Sequence, residues 1–223
     1  MCCLFLAASS TVAIAQTSVV DLVNPIIGTN GMGHTFPGAC VPFGLVQLSP
    51  DTDTIPHNVD GKYQPRSYEY CAGYQHKDSS IVGFSHTHFS GTGHSDLGDI
   101  LIMPTTGTLK LNPGTATNPD GGYRSRFSHD TEISRPGYYE VMLADYGVKA
   151  QLTTTQRAGI HKYTYPTNSE HQRIILDMIH GINNYDGKDL WTNIRVETYQ
   201  LYLFRHVFLT TDHALRMRRE SES

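Results

Sequence analysis

The chain has 223 residues, of which 39% are hydrophobic, and it contains 20 glycines, 11 prolines and 13 tyrosines. This composition favours short strands joined by frequent turns, and the length is sufficient for one large domain or two small ones. The formal net charge is −4, and no basic stripe precedes the last few residues. We therefore expect no nucleic-acid partner, because binding nucleic acid requires clustered Lys and Arg side chains.

The N-terminus is typical of a secretion signal. Residues 4–15 are apolar or small, and residues 13–15 match an A-x-A cleavage site. We predict a signal peptide over residues 1–15 and a secreted or periplasmic protein. The apolar run is too short to span a membrane, and no later segment reaches transmembrane length. Removal of the signal leaves Cys40 and Cys71, which either form one disulfide or remain as buried thiols.

Residues 23–39 are rich in glycine and proline, which excludes a helix and predicts an ordered loop that presents His34 and Phe36. Phe36 is either an ordinary core residue or part of an apolar platform for a ligand. A strand is predicted over residues 42–48. Residues 53–64 are polar and rich in turn-forming residues, so we expect a surface excursion there.

A histidine-rich segment follows the apolar run at residues 81–84. His86 and His88 are two residues apart and would project from one face if the strand continued that far. The next loop has two glycines, which allow the backbone to approach a ligand closely, and it continues into His94 and Asp96. Three imidazoles and a carboxylate suit a polar ligand or a metal. The alternative interpretation is a set of buried histidines that bond to the backbone and bind no ligand.

Strand-like segments recur from residue 80 onward at the spacing of an all-β domain. We predict strands at 80–86, 99–103, 107–111, 123–129, 138–143, 148–155, 160–165, 173–179 and 191–196. Apolar and polar residues alternate in 148–155, which is the period of a half-buried strand, and no segment shows a sustained helical period. The predicted fold class is all-β, a large antiparallel β-sandwich of the supersandwich type with little helix.

The alternation is lost after about residue 197. We predict that residues 197–223 form a divergent tail, either a terminal helix or the out-of-frame end of a truncated gene. The arginines near its end are expected to be solvated.

Three motifs, in this order, resemble the N-terminal domain of glycoside hydrolase family 92. They are NPIIGT at 24–29 with GHTFPGA at 33–39, VPFGLVQLSPDT at 41–52, and GFSHTHFSGTG at 83–93 leading into GDIL at 98–101. SRPGYY at 134–139 is also similar to that family. The resemblance covers about residues 19–196.

The family consists of secreted, calcium-dependent exo-α-mannosidases of glycan degradation, and the resemblance implies a two-domain enzyme. Residues 19–196 would form the N-terminal β-sandwich, packed on a C-terminal (α/α)6 barrel that is absent from this sequence. The active site would lie between the domains and hydrolyse terminal α-mannosides with inversion. In the family, both catalytic carboxylates and most calcium ligands belong to the barrel. We therefore assign no catalytic residue and no metal ligand to this chain and expect it to be inactive alone.

The resemblance also implies that this domain forms one wall of the mannose pocket, since imidazoles and carboxylates bind hydroxyls and an aromatic ring stacks on a pyranose. The residues predicted to bind substrate are His34, Phe36, His86, His88, His94 and Asp96. Two other classes remain open. The paired histidines also resemble the zinc site of amidohydrolase barrels, although the alternating helices are missing. The other class is a non-catalytic carbohydrate-binding or interaction module.

Overall fold

The computed structural model describes residues 18–91 and 97–182, together with the backbone of residues 208–210. Several predictions fall outside these residues: the signal peptide, His94, Asp96, the strand at 191–196 and nearly all of the tail. Within the described residues, no helix is long and apolar enough to cross a membrane.

Short strands account for almost all of the regular structure. In the described part they are β1 (Ser49–Asp51), β2 (Asn58–Val59), β3 (Lys62–Tyr63), β4 (Ser80–Ile81), β5 (Gly83–Ser85), β6 (Leu101–Thr105), β7 (Ser125–Arg126), β8 (Ile133–Arg135), β9 (Tyr138–Leu143), β10 (Val148–Thr154), β11 (Gly159–Thr164), β12 (Arg173–Asp177) and β13 (Phe208–Thr210). The helical turns described are α1 (Arg66–Glu69) and the 3-10 turns Val19–Leu22, Pro119–Gly121 and His129–Thr131. The prediction of an all-β fold with little helix is confirmed.

Two antiparallel sheets form the body of the domain. The first has the strand order β1-β5-β6-β12 and the second has the order β13-β11-β10-β9-β8, while β2-β3 and β4-β7 form small separate pairs. The ring of Phe84 on β5 joins the two sheets, because its centroid lies 6.5 Å from that of Tyr139 on β9 and 6.3 Å from that of Tyr163 on β11. All three rings are buried. The sheets therefore pack face to face around a shared apolar core, as in a sandwich.

The central strands of the second sheet bury alternate side chains. In β10, Val148, Ala150 and Leu152 are buried, and the residues between them are more accessible. Leu152 pairs with Tyr139 on one side and with His161 on the other, so these three side chains form one row of the inner face. The predicted half-buried strand is confirmed.

Predicted and observed strands agree best where the alternation is longest. The strand predicted at 138–143 is β9, with the same bounds, and the excursion predicted at 53–64 contains the exposed pair β2-β3. The strand predicted at 42–48 is wrong. Phe43 has a φ of +59° and a fully exposed side chain, because the chain turns there, and β1 begins only at Ser49.

The strand predicted at 107–111 is also wrong. The side chains of Leu109 and Leu111 are 50% and 80% exposed, so their alternation does not mark a buried face. The segment is instead a loop, anchored where the backbone N–H of Gly107 donates to the carbonyl oxygen of Glu170 at 3.0 Å.

The two cysteines that follow the predicted signal do not form a disulfide with each other. Cys71 is buried and Cys40 is partly buried. Of the two alternatives from the sequence, the structure therefore supports thiols.

His86 lies inside the sandwich. β5 ends one residue before it, so the strand does not continue far enough to place His86 and His88 on one face. The Nδ1 atom of His86 lies 2.6 Å from the carbonyl oxygen of Ile100, and its Nε2 atom lies 3.1 Å from Nε2 of His161. The Nδ1 atom of His161 lies 2.7 Å from the hydroxyl of Tyr163. The three contacts form a chain in which the Tyr163 hydroxyl donates to His161, His161 donates to His86, and His86 donates to the carbonyl oxygen of Ile100. This arrangement gives each of the four ring nitrogens a partner while both imidazoles stay neutral.

We expect acid to destabilise the domain through these two imidazoles. Burial lowers the pKa of His86 to about 4, and burial with the nearby charge of His86 lowers the pKa of His161 well below its ordinary value. As the pH falls, these histidines therefore take up protons in the unfolded chain before they do so in the folded domain. Their contribution to the free energy of unfolding is complete above about pH 6.5 and is lost as the pH falls towards about 4. The free energy of unfolding should fall by about 1.4 kcal/mol per pH unit for each histidine, as measured by urea unfolding between about pH 7 and pH 5.

Two variants separate this effect from other titrations. His161→Gln should flatten the dependence, because it removes one of the buried imidazoles. His171→Asn is the control, since His171 is exposed and has a φ of +55°, a conformation that asparagine tolerates. A slope that His161→Gln leaves unchanged would contradict the prediction.

Candidate functional site

A buried carboxylate, Asp51 at the end of β1, is the centre of the candidate site. Its Oδ1 atom lies 2.8 Å from Nε2 of His88. Its Oδ2 atom lies 2.7 Å from Nε2 of His180 and accepts a hydrogen bond of 2.7 Å from Oγ of Ser85. Ser85 ends β5, and the two histidines follow β5 and β12. The site is therefore assembled from the ends of three strands of the first sheet.

The carboxylate of Asp51 remains charged although it is fully buried. Burial alone would raise its pKa, but the charge of His88 and the hydrogen bonds from His180 and His88 outweigh burial and hold the pKa of Asp51 well below its usual range. Asp51 therefore holds the two imidazoles in place and is unsuited to donate a proton near neutral pH.

His88 is fixed in orientation by both of its ring nitrogens. Its Nδ1 atom lies 2.8 Å from the carbonyl oxygen of Gln47, and its Nε2 atom faces the carboxylate of Asp51. Both nitrogens therefore face oxygen acceptors. The ring of the half-buried Phe36 lies beside this imidazole, with centroids 5.1 Å apart and planes tilted by 34°. The structure thus joins Phe36 of the first loop to His88 of the second.

His34 connects the same two loops through its backbone. It has a φ of +52°, and its carbonyl oxygen accepts a hydrogen bond of 2.7 Å from the N–H of Gly91. Its side chain is buried and meets the ring of Tyr68 edge-on, with centroids 4.5 Å apart. Among the described residues, its Nε2 atom has no hydrogen-bond partner. Because buried polar atoms are normally paired, this nitrogen is a candidate hydrogen-bonding atom of the site.

Gln75 fixes the backbone of the first loop. Its Oε1 atom accepts a hydrogen bond of 2.7 Å from the N–H of Gly31, and its Nε2 atom donates to the carbonyl oxygen of Gly31 at 3.0 Å. The backbone N–H of His76 donates to the carbonyl oxygen of Thr29 at 2.8 Å. These three hydrogen bonds hold the glycine-rich segment that leads into His34.

Gly73 approaches Asp51 so closely that no side chain fits. It has a φ of +78°, and a Cβ atom there would lie 2.0 Å from Oδ1 of Asp51 and 3.3 Å from Cδ2 of His88. We expect Gly73→Ala to lower the free energy of unfolding by about 3 kcal/mol or more, because left-handed strain of about 1–2 kcal/mol is added to displacement of a buried carboxylate. Gly61→Ala is the matched control, since Gly61 has a φ of +72° and open space around it. Equal losses for the two variants in urea unfolding would contradict the role given to the clash.

The structure places three of the residues predicted to bind a ligand around the same pair of loops: His34, Phe36 and His88. His86 does not join them, because it lies in the core against His161. His94 and Asp96 lie outside the described residues. The zinc site of an amidohydrolase barrel is not supported, since His86 and His88 bond to different groups and the described strands do not alternate with helices.

Sequence reasoning missed Asp51, Ser85 and His180. Asp51 and His180 are 129 positions apart, so their contact cannot be predicted from a local sequence pattern. The one available signal is that an acidic residue, Asp51, stands next to last in the apolar motif at 41–52.

A surface depression of about 540 Å³ lies elsewhere on the domain. Its lining residues are Val20, Asp21, Ile133, Arg135, Pro136 and Tyr138. None of His34, Phe36, His86 and His88 contributes to it, so it is distinct from the described part of the histidine cluster.

The cluster around Asp51 does not suit the calcium ion that the family resemblance implies. Ca²⁺ takes six to eight oxygen ligands. Here the carboxylate oxygens already bond to two imidazoles and a hydroxyl, and the other side chains offer nitrogen atoms or an aromatic ring. We assign no calcium ligand to the described residues of this cluster.

The described residues therefore form a β-sandwich in which loops place imidazoles and an aromatic ring around a buried, fully hydrogen-bonded carboxylate. The sequence profile of the glycosyl hydrolase family 92 N-terminal domain matches residues 22–202, and the chain belongs to this family. The match ends slightly beyond residue 196, where we expected the resemblance to stop.

Known relatives agree with this assignment. The chain is 48% identical to a family GH92 α-mannosidase from Bacteroides thetaiotaomicron, solved with mannoimidazole, with a TM-score of 0.66 over 73% of this chain and 20% of that one. It is 25% identical to an inverting GH92 mannosidase from the same species, with a TM-score of 0.54 over 73% of this chain and 20% of that one. It is also 29% identical over 170 residues to an uncharacterized secreted glycosidase of Arthroderma benhamiae, which covers 72% of this chain and 19% of the relative. The chain thus spans about a fifth of the length of these relatives.

Proposed function

We propose that this domain forms one wall of the mannose-binding pocket of a secreted α-mannosidase. The observation that carries the proposal is the meeting of the loops of His34 and Phe36 with His88, in a chain of family 92. The half-buried ring of Phe36 offers a stacking surface for the apolar face of a pyranose. The buried Nε2 atom of His34 offers a hydrogen bond to a hydroxyl group.

In this proposal the reaction is inverting hydrolysis, and its catalytic groups lie on another domain. Inversion needs one carboxylic acid to protonate the leaving oxygen and one carboxylate to activate water on the opposite face. Asp51 suits neither role, because it is buried against three donors and its pKa is held low. We therefore propose that the acid, the base and the calcium ligands belong to an (α/α)6 barrel that packs on this sandwich.

Export of the protein is part of the same proposal. It rests on the A-x-A pattern at residues 13–15 and on the description of the Arthroderma relative as secreted. The substrates would then be mannose-containing glycans outside the cytoplasm.

A hybrid enzyme tests the proposal. Residues 18–196 of this chain would replace the matching segment of the 48% identical Bacteroides α-mannosidase, and turnover of p-nitrophenyl α-mannoside would be measured with calcium. We expect the hybrid to be active and this chain alone to be inactive. Turnover by the chain alone, or an inactive hybrid that circular dichroism shows to be folded, would contradict the proposal. Saturable mannan binding by the chain alone, with an inactive folded hybrid, would favour a carbohydrate-binding module instead.

A further inference from the structure

A second cluster of ligating side chains lies apart from the candidate site. His76, His129 and Glu132 each offer one ligand atom, and these three atoms lie within 4.8 Å of one another. His76 lies in the segment before β4, His129 begins the 3-10 turn that precedes β8, and Glu132 directly follows that turn. We propose that these three side chains form a binding site for a divalent transition metal, with Zn²⁺ as the ion that fits best.

The donor set decides the class of metal. Two imidazole nitrogens and one carboxylate are ligands that zinc accepts, with a fourth position left for water. Calcium and magnesium prefer sites made of oxygen atoms alone. Around a tetrahedral zinc ion with bonds of about 2.1 Å, ligand atoms lie about 3.4 Å apart. The two imidazoles are already in contact, with ring centroids 3.9 Å apart, and their side chains must rotate to bring the ligand atoms to that distance around an ion.

The charge of Glu132 favours a cation at this position. Its side chain is only 3% exposed, and its carboxylate accepts hydrogen bonds from the hydroxyls of Tyr74 at 2.9 Å and Tyr139 at 2.6 Å. No Lys or Arg side chain within the described ranges forms an ion pair with it. A buried carboxylate needs a compensating positive charge. The Nδ1 atom of His129 lies 2.6 Å from Oε2 of Glu132, so two of the three ligand side chains are already adjacent.

The surroundings of the cluster resemble those of metal sites. The hydroxyl of Tyr74 contacts both carboxylate oxygens of Glu132 and lies 3.5 Å from Nδ1 of His76, while Tyr139 holds the carboxylate from the core side. Such hydrogen bonds from outer residues orient the ligands of a metal. The side chain of His129 is 37% exposed, which gives an ion access from solvent.

A metal here would also reinforce the loop that carries His34. The backbone N–H of His76 donates to the carbonyl oxygen of Thr29, and the neighbouring Gln75 holds Gly31. Zinc would therefore link the glycine-rich loop, through His76, to the turn before β8. The inference does not depend on the proposed mannosidase role.

Zinc titration of the purified chain, after removal of metals with EDTA, tests the site. Isothermal calorimetry should show one equivalent of Zn²⁺ bound, and the melting temperature should rise with zinc concentration. Cobalt provides a second measurement, because a tetrahedral site gives Co²⁺ strong visible absorption. His129→Ala should weaken zinc binding by about 100-fold or more and abolish the cobalt spectrum, while its exposed position should preserve folding.

His171→Asn is the control, because it removes an exposed histidine outside the cluster and should leave the zinc affinity unchanged. Absence of saturable zinc binding by the unmodified chain would overturn the proposal. Unchanged zinc affinity in folded His129→Ala, or octahedral rather than tetrahedral cobalt absorption, would overturn it as well.

Discussion

Replacing Asp51 with asparagine is expected to lower the free energy of unfolding by about 3–5 kcal/mol, which is a large share of the stability of a domain this size. The change preserves the shape of the side chain but removes the charge that faces His88 and His180. An amide offers a single acceptor oxygen, whereas the carboxylate accepts from two imidazoles and a hydroxyl. At least one buried donor is then left without an acceptor, which costs free energy.

Urea unfolding at neutral pH measures this loss as a lower midpoint with an unchanged slope. Asp120→Asn is the matched control, because Asp120 is exposed and pairs with Arg126 at the surface. We expect no measurable change for the control, since exposed ion pairs contribute little. If Asp51→Asn and Asp120→Asn unfold at the same urea concentration, Asp51 does not organise the site.

The all-β fold could be predicted because β9 and β10 each bury one face. In β10 the apolar residues Val148, Ala150 and Leu152 face the core, so the pattern of the sequence is also the pattern of burial. The same reasoning failed at Phe43, because a residue with a positive φ in an exposed turn is not part of a strand. Apolar residues alone do not show whether the backbone is extended or turns.

The candidate site could be predicted only in part, for a different reason. The loops of His34 and His88 could be recognised from the sequence, because each combines glycines with histidines within a short segment. Their common anchor, Asp51, depends on strand order, because β1 and β5 are neighbours and the segment after β12, the strand at the opposite edge of the sheet, reaches back to Asp51. His86 was misplaced because burial in the sandwich decides its partners, and sequence spacing does not show which face a residue takes after its strand has ended.

Truncating Phe36 to alanine is expected to lower kcat/KM of the hybrid mannosidase by about 100-fold, equivalent to about 2.7 kcal/mol of transition-state stabilisation. The change removes the ring that packs beside His88, so in the proposed pocket the sugar would lose its stacking surface and the imidazole would lose a neighbouring ring. A misplacement of about 1 Å in a pocket wall is sufficient for a loss of this size.

Steady-state kinetics on p-nitrophenyl α-mannoside would measure the loss, and the melting temperature would show whether the hybrid remains folded. Tyr63→Ala is the matched control, because it truncates an exposed aromatic side chain of similar size in the β2-β3 pair, where the ring packs beside His57 and not beside His88. His34→Ala should also lower kcat/KM, since it removes the buried Nε2 atom that lacks a partner in the described domain. If Phe36→Ala retains the kcat/KM of the Tyr63→Ala control, the loops of His34 and His88 form a structural junction, and the mannose pocket has its wall elsewhere.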